Sequence, residues 1–342
     1  MICTASNRHL APALAALALS ACGDAAPTNT ATLYWSQPDT VVIGLGHPSD
    51  VKAQSRDRVW VADRQSALIL RLAPRDSQYV SIGLGDREPR QVQLPGKLAV
   101  ATDIGLSAYD IETGSVDLFT FGGDYIRGFT PGFVPAVMSF SKAPLGYTFG
   151  VAAIDSAATR AARAALPDSA STDSVVVRRA VVIRTDLQGN ARDTLLSPTH
   201  GPESLRGATA GEGKTLMAPS ASGMWVWSEL VPDSVFDITP RGTRRLFQQL
   251  PGQPLGMFAD PVREMLWLVL PASEEVRLAA FDTREAVAKT PEAYLGDRTI
   301  EEPTFRPAAI FDGVVMGFRR IRGGAIAMNA YDLHTEAFNR AP

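Results

Sequence analysis

A strand ending in aspartate, a tight turn and a returning strand recur along most of this 342-residue chain, and no other feature restricts its folding as strongly. The signature reads "YDIETGSVDLF" at 109–119, "TDLQGNARDTL" at 185–195, "FDITPRGTRRLF" at 236–247, "FDTREAVA" at 281–288 and "YDLHTEAF" at 331–338. A first version, "LAPRDSQYV" at 72–80, has Ala73 in place of the leading Asp. A carboxylate at this place accepts hydrogen bonds from backbone N–H groups two residues on and nucleates the turn. Asp110, Asp186, Asp237, Asp282 and Asp332 are therefore read as turn formers between a third and a fourth strand.

A second repetition sets the length of the unit. The tetrapeptide Ile-Gly-Leu-Gly occurs at 43–46 and at 82–85, 39 residues apart. After each copy comes an extended segment, a turn (Arg56-Asp57, Pro95-Gly96), an apolar strand ("RVWVAD", "KLAVATD") and a hairpin. Four short strands in roughly 40 residues are one blade of a β-propeller. The hairpins are spaced by 37, 76, 51, 45 and 50 residues, which makes six blades if the longest interval holds one blade with an insertion. That interval offers strands at 133–140, 145–153 and 175–184, with the Ala- and Ser-rich stretch 154–174 between the last two. Its first half suits a helix begun near Asp155 or Ser156 and stopped by Pro167. Later second strands are expected at 223–229, 264–271 and 313–320, dense in apolar residues because both faces of a middle strand are covered. The expected fold is an all-β, six-bladed propeller over 33–342. The segment 40–46, a copy of a fourth strand standing before any first strand, is expected to complete the last blade beside 325–332 and so remove two open edges.

The stretch "DVKAQSRDRVWVADRQSALILRLAP" (50–74) resembles the NHL repeat, whose strand–turn–"V-A-D"–strand order it follows. The resemblance extends with decreasing clarity over about 40–340. It implies a six-bladed propeller and leaves the activity open, since propellers carry many unrelated functions.

The N-terminus points to export. Leu10–Ser20 is an apolar run of eleven residues, the length of a signal-peptide core and too short to span the ~30 Å of a bilayer interior. It leads into Leu19-Ser20-Ala21-Cys22, which resembles the lipobox of bacterial lipoproteins. The resemblance implies a leader over 1–21, lipidation of Cys22 and a flexible tether over 22–32. Cys3 and Cys22 are the only cysteines, so the processed chain would hold no disulfide. Gly23 after the cysteine is compatible with sorting to an outer membrane where one exists.

Charge and motifs narrow the chemistry. With 33 basic and 36 acidic residues the net charge is −3 and the pI about 5.9, which argues against nucleic-acid binding. There is no Gly-x-Ser-x-Gly elbow, and "GLGHPS" lacks the third glycine of a dinucleotide fingerprint and precedes a strand. A three-histidine metal site, as in a lyase family related to NHL propellers, would need His47, His200 and His334, of which the last falls at the opposite end of the ring. Hard oxygen ligands suit calcium, and Asp63, Asp103 and Glu229 are the acidic candidates. Each is equally a cap of its own loop.

The candidate binding surface is the top of the ring, where fourth-to-first and second-to-third connections meet. It is expected to hold Tyr125, Arg127, Phe129 and Phe133 of "GGDYIRGFTPGFVP" (122–135), Arg319, Arg320 and Arg322 of "FRRIRGG" (318–324), and His47 and His200. Aromatic and Arg side chains on loops are the types that dominate binding energies. The expected role is an envelope-anchored monomeric module binding a protein, peptide or polysaccharide, without cofactor. A calcium-dependent hydrolase or lactonase-like enzyme and a purely structural lipoprotein are the alternatives.

Overall fold

Six four-stranded antiparallel sheets form a ring in which the first strand of each sheet touches the first strands of its two neighbours. The computed structural model describes residues 29–37, 45–74, 81–82, 92–142, 144–164, 176–196, 214–229, 231–247, 250–284, 293–321 and 325–338. A short N-terminal strand, β1 (Thr32–Ser36), is set apart from its sequence neighbours. Blade one comprises β2 (Pro48–Ser55), β3 (Arg58–Asp63), β4 (Leu68–Leu72) and β5 (Ser81–Ile82). Blade two comprises β6 (Pro95–Ala101), β7 (Gly105–Asp110), β8 (Ser115–Phe119) and β9 (Tyr125–Phe129). In blade three, β10 (Val137–Lys142) and β11 (Leu145–Ile154) are followed by α1 (Ser156–Ala164), then β12 (Arg178–Thr185) and β13 (Ala191–Leu196). Blade four is β14 (Thr215–Pro219), β15 (Met224–Ser228), β16 (Val235–Thr239) and β17 (Gly242–Phe247). Blade five is β18 (Gly256–Asp260), β19 (Met265–Leu270), β20 (Val276–Asp282) and β21 (Tyr294–Ile300). Blade six is β22 (Arg306–Phe311), β23 (Val314–Arg320) and β24 (Ile326–Asp332), completed by β1.

The core is divided into six clusters, one between each pair of adjacent blades. Every inner strand thus has two dry faces, which is why β3, β15 and β19 read as unbroken apolar runs. Trp60, Trp227 and Trp267 on these three strands are fully buried. Polar stitches cross the same interfaces. Ser107 Oγ and Tyr147 Oη are 2.7 Å apart between blades two and three, and burial pushes the Tyr147 hydroxyl up to about 12.

The ring closes through its N-terminal strand, as the circular arrangement requires, but the strand that does so is β1. Thr32 pairs with Asp332 and Ser36 with Asn329 in antiparallel register. Of the expected closing segment 40–46, residues 40–44 lie outside the described residues, and Leu45-Gly46 approach the first strand of blade one. Residues 29–31, inside the stretch 22–32 expected as a tether, are fastened to blade five. Thr30 bridges Thr299 in parallel, and Ala31 N donates to Thr299 O at 2.7 Å.

Blade two corrects the expected register as well. "KLAVATD" is a first strand with its turn, and Asp110 ends the second strand rather than the third. The hydrogen bonds show the true equivalence. Asp63 accepts from Gly46 N and His47 N, 17 and 16 residues upstream, and Asp110 accepts from Gln93 N and Leu94 N at the same two separations. The doubled tetrapeptide therefore pairs non-equivalent places: Ile82 ends blade one, whereas Gly46 precedes its first strand. In blades three, five and six, Asp186, Asp282 and Asp332 do follow or end third strands and accept turn N–H groups. Asp237 sits inside β16 and is held by Arg244 Nη2 at 2.9 Å.

Between blades five and six one carboxylate serves two turns. Fully buried Asp260 accepts from Val262 N and Arg263 N of its own turn, and from Asp312 N (2.9 Å) and Gly313 N (2.7 Å) of the next blade. Removing it strands buried donors at about 1–3 kcal/mol each when unsatisfied. Asp260→Ala is expected to lower the unfolding free energy in urea by about 3 kcal/mol, whereas Glu112→Ala at an exposed turn changes it by less than about 0.5 kcal/mol.

Candidate functional site

All six first strands run in the same direction around the ring. One end, the top, therefore collects the fourth-to-first connections and the second-to-third loops, and the other end carries the first-to-second and third-to-fourth turns. His47, Phe133, Arg319, Arg320, Asp63 and Glu229 lie at the top end. His200 and Arg322 lie outside the described residues. Tyr125, Arg127 and Phe129 do not form a top loop. They are β9, the outer strand of blade two, because Tyr125–Phe129 pairs with Val116–Phe119. Phe129 packs 5.5 Å from the Tyr147 ring and Phe133 packs 5.2 Å from Phe149, so both fill the seam between blades two and three.

The three acidic candidates do not come together. Asp103 lies in the turn from β6 to β7, at the bottom end. Asp63 is sealed: burial alone would raise its pKa, but the Ser66 hydroxyl at 2.6 Å and the N–H groups of His47, Gly46 and Ser66 outweigh it and hold the carboxyl below the ordinary range. Glu229 Oε2 accepts from Lys214 N at 2.9 Å, stitching the top of blade four in the manner of Asp63. Among the described residues no group of three His, Cys, Asp or Glu side chains is placed to hold a metal ion. His47 and His334 stand at opposite ends of the ring, and His334 Nε2 lies 2.8 Å from Thr32 Oγ1.

A different group occupies the channel mouth. Asp50 lies in the upper half of β2 and Lys52 near its middle, Lys97 in the upper half of β6 beside it, and Arg64 in the loop above β3. The lone acid is already engaged: Asp50 Oδ2 accepts from Leu98 N at 2.8 Å and pairs with Lys52 Nζ at 3.4 Å. Lys97 is partly buried and has no hydrogen bond or ion pair with the described residues. Burial lowers its pKa below the usual lysine value, Asp50 opposes the shift, and Lys52 and Arg64 add to it. Arg319 and Arg320 stand at the top end of β23 in blade six. Across the mouth the top is apolar, with Val134, Ile154 and Leu255 exposed by 66%, 58% and 57%. Sequence reasoning missed Lys97 because the shifted register of blade two placed "KLAVATD" away from the axis.

Comparisons with known proteins report the fold. No protein-family model matches the chain, and no curated protein does. Among solved structures, a protein of Bacteroides fragilis described as exported aligns with a TM-score of 0.50 at 8% identity, covering 88% of this chain and 94% of that one. The PQQ-bound aldose sugar dehydrogenase of Streptomyces coelicolor aligns with a TM-score of 0.48 at 12% identity, covering 89% and 98%. At such identities the likeness concerns architecture and carries no activity across.

The geometry at Asp63 has a pH consequence. A carboxyl whose folded pKa is lowered stabilises the fold fully above its unfolded value of about 3.9, and the contribution is lost as pH falls through the folded value. Asp63→Asn is expected to destabilise the protein near neutrality and to flatten the acid limb of a stability–pH profile measured by urea titration.

Proposed function

We propose that this chain is an exported, lipid-anchored envelope propeller of NHL type that binds an acidic segment of another protein at its channel mouth. The reading of export and anchoring rests on the apolar run 10–20 and on Leu19-Ser20-Ala21-Cys22. The reading of the site rests on one observation: Lys97, partly buried beside the axis, is without a hydrogen-bond or ion-pair partner among the described residues and feels the charges of Asp50, Lys52 and Arg64 in a chain of net charge −3. A cationic group that burial disfavours, and whose nearest carboxylate is already engaged, is relieved by a further anion. A carboxylate entering there makes charge-assisted hydrogen bonds in a medium less screened than bulk water. The exposed apolar arc of blades three to five suits the non-charged side chains that flank acidic residues in a peptide. Scaffolding follows from the same arrangement, with an anchor at one place and a recognition surface at another.

Fluorescence polarisation with a labelled Glu-rich peptide and its Gln counterpart tests the reading on the mature protein. The Glu peptide is expected to bind and the Gln peptide to bind far more weakly. Lys52→Gln together with Lys97→Gln should weaken binding at least ~10-fold, and Arg241→Gln at the far end should not. Affinity should also fall with rising pH as Lys97 loses its proton, below the ~10.4 of ordinary lysines. Equal binding of the two peptides, or an unaffected double variant, would remove the basis for the site.

A further inference from the structure

The path of the chain into the ring says which side of the molecule meets the bilayer. Asn29 and Thr30 lie against blade five: Thr299 N donates to Asn29 O at 2.8 Å, and Arg298 Nη1 reaches Asn29 Oδ1 at 3.5 Å. Arg298 also donates to Leu333 O (2.8 Å) and His334 O (3.5 Å), which follow the third strand of blade six at its bottom end. The chain thus enters where β1 begins, opposite Asp332 at the bottom end of blade six, beside the C-terminal end of β21. Cys22 is seven residues upstream of Asn29, so even a fully extended chain reaches only about 25 Å from Asn29. A first strand such as β2, eight residues long, already spans about 26 Å. An orientation with the channel mouth against the bilayer would use the whole reach before any lipid is met.

The rim at this point has the surface such a position calls for. Leu33 and Tyr34, just after the entering residues, are exposed by 53% and 40%; Val262 in the bottom turn of blade five and Tyr294 at the start of its outer strand are exposed by 50% and 37%. Arg58 and Arg263 lie on the same side, Arg263 bonded to Asp312 and Glu336. Tyrosine rings with aliphatic neighbours and arginine guanidinium groups are the residues that settle at the headgroup level of a membrane.

Resting on the reading that Cys22 is lipidated, we infer that the bottom rim of blades five and six is a membrane-facing surface, apposed to a phospholipid headgroup layer. The channel mouth with Lys52, Lys97 and Arg64 is then turned away from the bilayer and open to a partner.

The test uses the full lipidated protein in vesicles of phosphatidylethanolamine and phosphatidylglycerol with nitroxide-bearing lipid. A thioether-linked Cys22 does not react with maleimide, so single Val262→Cys and Val134→Cys variants take one fluorophore each. Both positions are exposed, and Tyr294→Cys replaces Val262→Cys should that variant fail to fold. The expected result is loss of most fluorescence at 262 and none at 134. The reverse pattern, or equal quenching at both positions, overturns the inference while leaving the anchor intact. A mass spectrum showing an unacylated Cys22 peptide, with no flotation on vesicles, overturns the anchored reading itself and this inference with it.

Discussion

Pairing between β1 and β24 is the contact on which the rest of the molecule depends. Five of the six sheets are built from consecutive strands, and each needs a neighbour on both faces to stay dry. Only the sixth is completed by strands nearly 300 residues apart in sequence, as in Ser36 opposite Asn329. Without that pairing, β24 presents an open edge and the seam between blades six and one, containing Trp35, Val51 and Met328, loses one wall. The closure is reinforced by side chains on both sides. Trp35 Nε1 donates to Arg56 O at 3.0 Å, Arg56 pairs with Asp332 at 2.6 Å, and the Arg56 guanidinium lies 4.9 Å from the centre of the Tyr34 ring. With its amide oriented to satisfy both neighbours, Asn329 donates to Ser36 Oγ (2.9 Å) and accepts from Arg319 Nε (3.1 Å).

Much of this architecture was legible in the residues. Hairpin aspartates and dense apolar runs located β15, β19 and β23 nearly to the residue, and the Ala-rich insertion was found where α1 stands, capped by Asp155 on Ala158 N at 2.9 Å. These features are local, and local physics writes them plainly. Register was harder. A four-residue phrase is short enough to recur in non-equivalent places, and it carried the closing strand and blade two with it. The better marker was present in the chain: Asp63 and Asp110 each bind the backbone 16 and 17 residues back, a contact that spans two strands and leaves no periodicity to read. Lys97 shows the same limit, since its surroundings come from blade one and only the ring brings them together.

The site illustrates how a propeller divides its polar residues. Carboxylates at strand ends look like ligands when tabulated, yet Asp63, Asp110, Asp260 and Glu229 spend their lone pairs on backbone N–H groups of neighbouring turns. Near the axis Lys52 is paired with Asp50, and Lys97 has no hydrogen bond or ion pair with the described residues. Fold class and site chemistry are thereby set by different residues, and each can vary without the other.

The manner in which Asn29 and Thr30 are fastened has a mechanical result. A pull on the chain upstream does not fall first on the ladder between β1 and β24, where hydrogen bonds would peel open one after another. It falls on the bridge to Thr299 and on Arg298, whose guanidinium lies 3.8 Å from the centre of the Phe338 ring and also grips Leu333. Blade five thus takes the load that would otherwise unzip blade six, as a cable clamp spares the joint behind it.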